Sequence, residues 1–116
     1  MPRVPAYRAG DVLLADLDPV IGHEQGGRRP VLVLSGPSYN ELRSNQLIVV
    51  AITSRQRGLP FHIAVGEDAG LRVPSWAQAE TVRAISAQRV IRHLGRAPWE
   101  KVAEVRHRVA NFIRDW

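Results

Sequence analysis

Short apolar runs separated by glycine and proline make up the first three quarters of the chain. Runs of this kind predict strands, here at 12–17, 30–35, 46–52, 61–65, 76–85 and 91–94. The runs at 30–35 and 46–52 are apolar at almost every position, which is typical of strands buried on both faces. Short helical turns are predicted from Ser38, as a cap, through Arg43, and again at 86–90.

The last segment of the chain has a different period. Its apolar positions, separated mostly by three or four residues, are Trp99, Val102, Val105, Val109, Phe112, Ile113 and Trp116. This spacing predicts an amphipathic helix that closes one face of a sheet, and Pro98 suits its first position. Several short strands followed by one helix predict an α+β, mostly β domain, built on an antiparallel sheet or small barrel.

Length and composition restrict the class of protein. The 116 residues fit one domain, 1–116, and the absence of cysteine excludes disulfides, thiol catalysis and sulfur-ligated zinc. The longest apolar run, at 47–52, is far shorter than the roughly 20 residues of a membrane-spanning helix. No apolar stretch follows the N-terminal residues, so we expect no secretory signal, no membrane partner and a cytoplasmic location.

The charge of the chain favours a polyanionic partner. Sixteen basic residues stand against 11 acidic ones, for a formal net charge of +5. Only Lys101 is a lysine, so the other 15 of the 16 are arginines, whose planar groups bind phosphate through two parallel hydrogen bonds. A general preference for arginine over lysine would explain the ratio equally well, but not the net charge.

A polar, glycine-rich loop lies between the first two predicted strands, at 21–29. It carries the side chains of His23, Glu24, Gln25, Arg28 and Arg29. Because Arg29 immediately precedes a buried strand, its backbone is fixed and its side chain can be directed at a ligand. Ligand-binding residues are often placed on such loops, although a solvated hairpin loop has a similar composition, so both interpretations stay open.

A second polar point, Thr53-Ser54-Arg55, follows the buried run that ends at Ile52. A hydroxyl there can donate to a phosphate oxygen or bond to its own backbone. If the second and third strands are neighbours, Arg29 and Thr53 lie on one rim of the sheet. A guanidinium and a hydroxyl that converge in this way would form a phosphate site.

Several chemistries are not indicated. The acidic residues are scattered, and neither HxxxH nor HExxH spacing occurs, so we expect no metal and no other cofactor. The G-x-G-x-x-G, P-loop and G-x-S-x-G patterns are also absent from the sequence.

Three stretches resemble, in the right order, motifs of the MazF/PemK toxins of bacterial toxin–antitoxin pairs. The first contains Gly22-His23-Glu24-Gln25-Gly26-Gly27-Arg28-Arg29-Pro30, the second is Val49-Val50-Ala51-Ile52-Thr53-Ser54, and the third is Glu80-Thr81-Val82-Arg83-Ala84-Ile85 with Arg89. The resemblance implies an SH3-like barrel of the CcdB/MazF type with a C-terminal helix, usually a homodimer. It also implies metal-independent, sequence-specific cleavage of single-stranded RNA, and neutralisation by an antitoxin with a flexible acidic tail.

Carried over residue by residue, the resemblance makes Arg29 and Thr53 the catalytic pair. Glu24 and His23 are the candidates for proton transfer, and the expected RNA contacts are Gln25, Arg28, Ser54, Arg55, Glu80, Thr81 and Arg83. Two positions depart from the family pattern: Thr81 stands where glutamine is common, and Ala51 where many relatives have proline. The first departure means that the family's base preference does not transfer to this chain.

The expected reaction uses the 2′-OH of the RNA itself as nucleophile and leaves a 2′,3′-cyclic phosphate. Arg29 would stabilise the charge on the phosphate, and Thr53 would donate a hydrogen bond to it. Two other functions remain as alternatives. One is a CcdB-like topoisomerase poison that acts through its terminal helix, and the other is a nucleic-acid-binding barrel without catalytic activity.

Overall fold

The computed structural model describes residues 7–18, 22, 26–42 and 45–114. Its strands are Asp11–Asp16 (β1), Arg28–Val33 (β2), Gln46–Thr53 (β3), His62–Val65 (β4), Ser75–Gln78 (β5), Arg83–Ser86 (β6) and Val90–Arg96 (β7). Helix α1 is the short Pro37–Asn40, and helix α2 is Trp99–Arg114. Three single turns of 3₁₀ helix lie at Glu67–Ala69, Ala79–Thr81 and Ala87–Arg89. The mostly β, α+β class is therefore confirmed.

The strands form one antiparallel sheet with the order β4-β5-β3-β2-β1-β7, and β6 pairs with β3 as well. Among the described residues this order is open, so the barrel is not closed by a ring of hydrogen bonds. The turn after β4 packs on β7 instead. A Cβ on Gly95 would lie only 2.8 Å from the Cα of Gly70, so these two glycines permit the close approach.

Two apolar clusters occupy the two faces of the central strands. Successive residues of a strand point to opposite faces, and Val31 and Val33 belong to one cluster while Leu32 belongs to the other. The predicted amphipathic helix is confirmed as α2, which packs Val102 and Val105 into the cluster of Leu32. The rest of its predicted apolar face is not all buried, because Trp99, Phe112 and Ile113 are exposed, and Trp116 lies outside the described residues. Within the part of the chain that the structure describes, no helix has the length and apolarity to cross a membrane.

The single strand predicted at 76–85 is wrong, because this segment is β5, a 3₁₀ turn and β6. Both short strands pair with β3: β6 pairs along its first half, at 46–49, and β5 at Ile52 and Thr53. The 3₁₀ turn Ala79–Thr81 fills the interval between them. A single continuous strand at 76–85 would not leave the residues between Gln78 and Arg83 free to form this turn, where the partner of β3 changes from β6 to β5.

Smaller differences concern the ends of elements and one additional turn. Helix α1 begins at Pro37 after Gly36, without a side-chain cap, so Ser38 is not its cap. The turn at Glu67–Ala69 was not predicted. Strand β7 continues beyond the predicted stop at Gly95, because Gly95 and Arg96 still pair with Val12 and Asp11 of β1.

The hydroxyl of Thr81 connects the 3₁₀ turn to β3. It accepts the N–H of Ala51 at 2.7 Å and donates to the carbonyl of Gln78 at 2.7 Å. Replacing Thr81 with valine leaves the buried amide of Ala51 unpaired, which should lower the free energy of unfolding by about 1–3 kcal/mol. Urea denaturation measures this change. Thr81→Ser keeps the hydroxyl and is the control, and a valine variant as stable as the serine variant would contradict the assignment.

Candidate active site

Arg29 lies at the start of β2, half-buried, with its Cα opposite that of Ala15 on β1. Its Nε–H donates to the carbonyl of Gly26 at 2.8 Å. This bond orients the plane of the guanidinium, and the terminal N–H groups are then those that can contact a ligand in the adjacent space. The expectation that a buried strand would fix the backbone at this position is confirmed.

Thr53 lies at the end of β3, the strand that pairs with β2. The antiparallel register places Val31 opposite Ala51. If the same register continues for two residues, Arg29 comes opposite Thr53 on the same face of the sheet, at a Cβ separation of roughly 5 Å. Both side chains line one groove of about 530 Å³, which we call the Arg29–Thr53 groove.

The Thr53 hydroxyl has one local partner. Its Oγ1 accepts the N–H of Arg55 at 3.1 Å, which is the turn that the sequence left as an alternative to ligand binding. A hydroxyl accepts and donates at the same time. The local turn leaves the hydroxyl hydrogen available for an oxygen atom in the groove, so the turn is observed and ligand binding by Thr53 stays a prediction.

The groove is also lined by the segment that leads into β5 and by the first residue of that strand. These residues are Leu71, Arg72, Val73 and Ser75. Sequence reasoning did not single out these residues, since Arg72 is an exposed arginine in an ordinary turn between a glycine and a proline. No local signal marks it, because its position near Arg29 depends on how β5 pairs with β3.

The loop that leaves β1 is held where it starts and where it returns. The carboxylate of Asp18 accepts the N–H of Gly27 at 2.8 Å, and the N–H of Leu17 donates to the Gly27 carbonyl at 2.9 Å. From the far end of the third motif, Arg89 donates to the carbonyl of Asp16 at 3.1 Å and to that of Asp18. His23, Glu24 and Gln25 lie outside the described residues, so their roles stay predictions.

The predicted RNA contacts divide into two groups. Arg28 and Ser54 line the Arg29–Thr53 groove. The others outside the loop do not line it, although they follow β3 or lie on the two elements beside it: Arg55, Glu80, Thr81 and Arg83. For these four residues, contact with RNA stays a prediction.

Glu80 has a partner within the fold. Its carboxylate oxygens lie 2.7 and 3.0 Å from Nε2 of His62, whose side chain is only 2% exposed. The Glu80 side chain itself is 39% exposed, so the pair joins a buried ring to the surface of the 3₁₀ turn. The hydroxyl of Thr81 is likewise used by the fold, which leaves its methyl group and backbone for any contact with RNA.

Other polar clusters lie elsewhere. The buried carboxylate of Asp11 is 3.3 Å from both His93 Nε2 and Arg96 Nη1, on the β1–β7 side of the sheet. Burial, and then the charge of Asp11, raises the pKa of Tyr7. No group of three histidine, aspartate or glutamate side chains able to hold a metal ion is found within 7–18, 26–42 and 45–114.

The comparison with known families agrees with this geometry. The profile described as "PemK-like, MazF-like toxin of type II toxin-antitoxin system" matches residues 8–113, which is nearly the whole chain. The chain belongs to this family.

The endoribonuclease members of the family include Endoribonuclease EndoA of Bacillus subtilis, which is 40% identical over 103 residues, covering 84% of this chain and 88% of that protein. Endoribonuclease MazF9 of Mycobacterium tuberculosis is 33% identical over 104 residues, with the same coverage of 84% and 88%. The chain is an enzyme of this endoribonuclease type.

Solved structures of the family share the fold. The crystal structure of MazF from Deinococcus radiodurans superposes with a TM-score of 0.83 and 33% identity, covering 94% of this chain and 97% of that one. A MazE-MazF crystal structure from the same organism has a TM-score of 0.77 and 31% identity, covering 97% and 99%. The architecture implied by the sequence motifs is therefore confirmed.

Proposed function

We propose that this toxin cuts single-stranded RNA in the Arg29–Thr53 groove, without a metal ion and at a preferred sequence. The observation that carries the proposal is that a guanidinium and a hydroxyl from two strands line one open groove. Such a pair supplies positive charge and a hydrogen-bond donor at one point, which is what a phosphodiester needs. RNA brings its own nucleophile, the 2′-OH beside the scissile phosphate.

Arg29 has the main electrostatic role in this proposal. Attack by the 2′-OH places additional negative charge on the oxygens of a five-coordinate phosphorus. A guanidinium held by Gly26 can donate two parallel hydrogen bonds to those oxygens with little reorganisation. Arg29 therefore binds the transition state more strongly than the uncleaved phosphodiester.

Thr53 supplies a neutral donor on the same face. Its oxygen is fixed by the N–H of Arg55, so the hydroxyl hydrogen can be directed at a non-bridging phosphate oxygen. Together the two donors hold the phosphate in place while the 2′-OH attacks and the 5′ oxygen leaves. The product is then a 2′,3′-cyclic phosphate and a free 5′-hydroxyl.

The proton transfers belong to other groups. Arginine, with a pKa above about 12, is a poor acid or base near neutrality. Glu24 and His23, which precede Gly26 in the sequence and lie outside the described residues, are the two candidates for removing the 2′ proton. They can be told apart by the pH dependence of the cleavage rate in Glu24→Gln and His23→Ala variants, because carboxyl and imidazole groups titrate in different pH ranges.

The proposed partners follow from charge and from the family. A formal net charge of +5 suits RNA. It also suits the acidic, flexible tail of a cognate antitoxin, and one structural neighbour is a MazE-MazF complex. We propose in addition that the toxin is a homodimer in the cytoplasm and that it needs no cofactor.

The chemistry of the products tests this proposal. Purified protein incubated with a long RNA should give discrete fragments that end in 2′,3′-cyclic phosphate, at the same rate with and without EDTA. Loss of cleavage in EDTA, or fragments with 3′-hydroxyl ends, would contradict the mechanism. Uncut RNA with inhibited DNA supercoiling would instead indicate a topoisomerase poison, and a shifted but uncut RNA band would indicate a binding protein.

A further inference from the structure

A second groove adjoins the first. It is about 460 Å³ in volume and is lined by Ala64, Val65, Gly66, Glu67, Asp68, Leu71, Arg72, Val73, Pro74, Ser75, Trp76 and Lys101. We call it the Trp76 groove. It shares Leu71, Arg72, Val73 and Ser75 with the Arg29–Thr53 groove, so the two are continuous across the segment before β5. Arg72 stands at the junction.

The sheet register places Trp76 next to Thr53. The two residues are direct partners across the β3–β5 pair, and Trp76 is also the partner of Ala64 on β4. Residues that face each other across an antiparallel pair have side chains on the same face, with Cβ atoms roughly 5 Å apart. The indole of Trp76 therefore lies on the strand next to Thr53, whose hydroxyl we assign to the scissile phosphate.

The charges of the Trp76 groove are mixed. Arg72 and Lys101 provide two cations, whereas Glu67 and Asp68 provide two carboxylates. The Asp68 carboxylate already accepts the N–H of Gly66 at 2.9 Å, within its own turn. Because carboxylates repel a phosphate, a phosphate in this groove would bind at a cation, and Arg72 is the cation that both grooves share. Single-stranded nucleic acids are bound by this combination of cations for the backbone and an aromatic ring for the base.

We propose that the Trp76 groove binds a nucleotide that flanks the cleavage site, with Arg72 on its phosphate and Trp76 against its base. This inference rests on the proposed function, because it extends the path of the same RNA. It assigns substrate binding to two residues outside the three sequence motifs. It also predicts that the length of RNA needed for full affinity exceeds the dinucleotide at the cleaved bond.

Kinetics with Arg72→Ala test the inference. On an RNA oligonucleotide that spans a mapped cleavage site, the variant should raise KM about tenfold and leave kcat within about twofold, because the contact is distant from the reacting atoms. Arg92→Ala removes an exposed arginine of β7 that lines neither groove, and it is the matched control. On RNA trimmed by the flanking nucleotide, wild type and Arg72→Ala should have the same KM.

Trp76 variants and salt separate the two contacts. Trp76→Phe keeps an aromatic surface and should stay within about threefold of wild-type KM, whereas Trp76→Ala should lose about tenfold. The slope of log KM against log salt should fall by about 0.7 in Arg72→Ala, from the loss of one phosphate contact, and should not change in either Trp76 variant.

Three outcomes would overturn the inference while the proposed function stands. The first is equal kinetics of Arg72→Ala and Arg92→Ala on the full oligonucleotide. The second is a KM effect of Arg72→Ala that persists unchanged on every trimmed RNA. The third is normal cleavage by Arg72→Ala and Trp76→Ala together with loss of their inhibition by the antitoxin. This result would make the Trp76 groove a binding site for the antitoxin. If the wild-type protein cuts no RNA, the proposed function itself fails.

Discussion

Replacing Arg29 with alanine should lower the rate of RNA cleavage by about a thousandfold without unfolding the protein. The guanidinium supplies the only charge that the proposed mechanism places directly on the phosphate oxygens. Removing one aligned donor from such a site typically costs 10²–10³ in rate, and a charged, bidentate donor lies at the upper end of this range. Single-turnover cleavage of a defined RNA, at protein concentrations above KM, measures the loss on the chemical step.

Two further variants make this result specific. Arg29→Lys keeps the charge but not the two parallel donors, so it should recover less than a tenth of the lost activity. Arg28→Ala removes an equal charge from the adjacent residue of the same groove and should raise KM rather than lower kcat. If Arg29→Ala and Arg28→Ala had the same modest effect, Arg29 would be one more backbone contact and not a catalytic residue.

Replacing Thr53 with valine should lower kcat by about 100-fold. Valine has nearly the same shape as threonine, so the packing at the end of β3 is kept and the hydroxyl alone is lost. The variant also loses the bond from the Arg55 N–H, but Arg55 is exposed and water can replace it. Single-turnover rates of the valine variant, compared with wild type, give the size of the effect.

Thr53→Ser and Ser54→Ala are the matched controls. Serine keeps the hydroxyl and should retain at least a tenth of wild-type activity. Ser54 lines the same groove from the next position, but the mechanism assigns no phosphate oxygen to its hydroxyl, so its loss should change kcat by less than about fivefold. A valine variant with wild-type kcat would remove Thr53 from the mechanism.

The pair at the centre of the proposed site could be predicted because both residues sit at the ends of strands with strong local signals. The apolar run that follows Arg29 identifies β2 from composition alone, and the apolar run that precedes Thr53 identifies β3 in the same way. Consecutive strands usually pair in antiparallel order, which places the start of one beside the end of the next. The observed pairing of Val31 with Ala51 agrees with that expectation.

The part of the groove formed by residues 71–75 could not be predicted, because it depends on contacts between distant parts of the chain. Arg72 lines the same groove as Arg29 because β5 pairs with the end of β3, and β5 was hidden inside a longer predicted strand. The alternating pattern of 76–85 does not show where β3 changes its partner. The bond from the Ala51 N–H to the Thr81 hydroxyl marks that point, and it is a long-range contact without a local signal.

The central claim is that Arg29 and Thr53 act on one phosphate. A crystal structure of the protein with an RNA oligonucleotide that carries a 2′-deoxy nucleotide at the mapped cleavage site tests it most directly, because such an RNA binds but lacks the nucleophile. The account predicts one phosphate with non-bridging oxygens about 3 Å from both an Arg29 terminal nitrogen and Thr53 Oγ1. A scissile phosphate bound elsewhere, or touched by neither side chain, would contradict it.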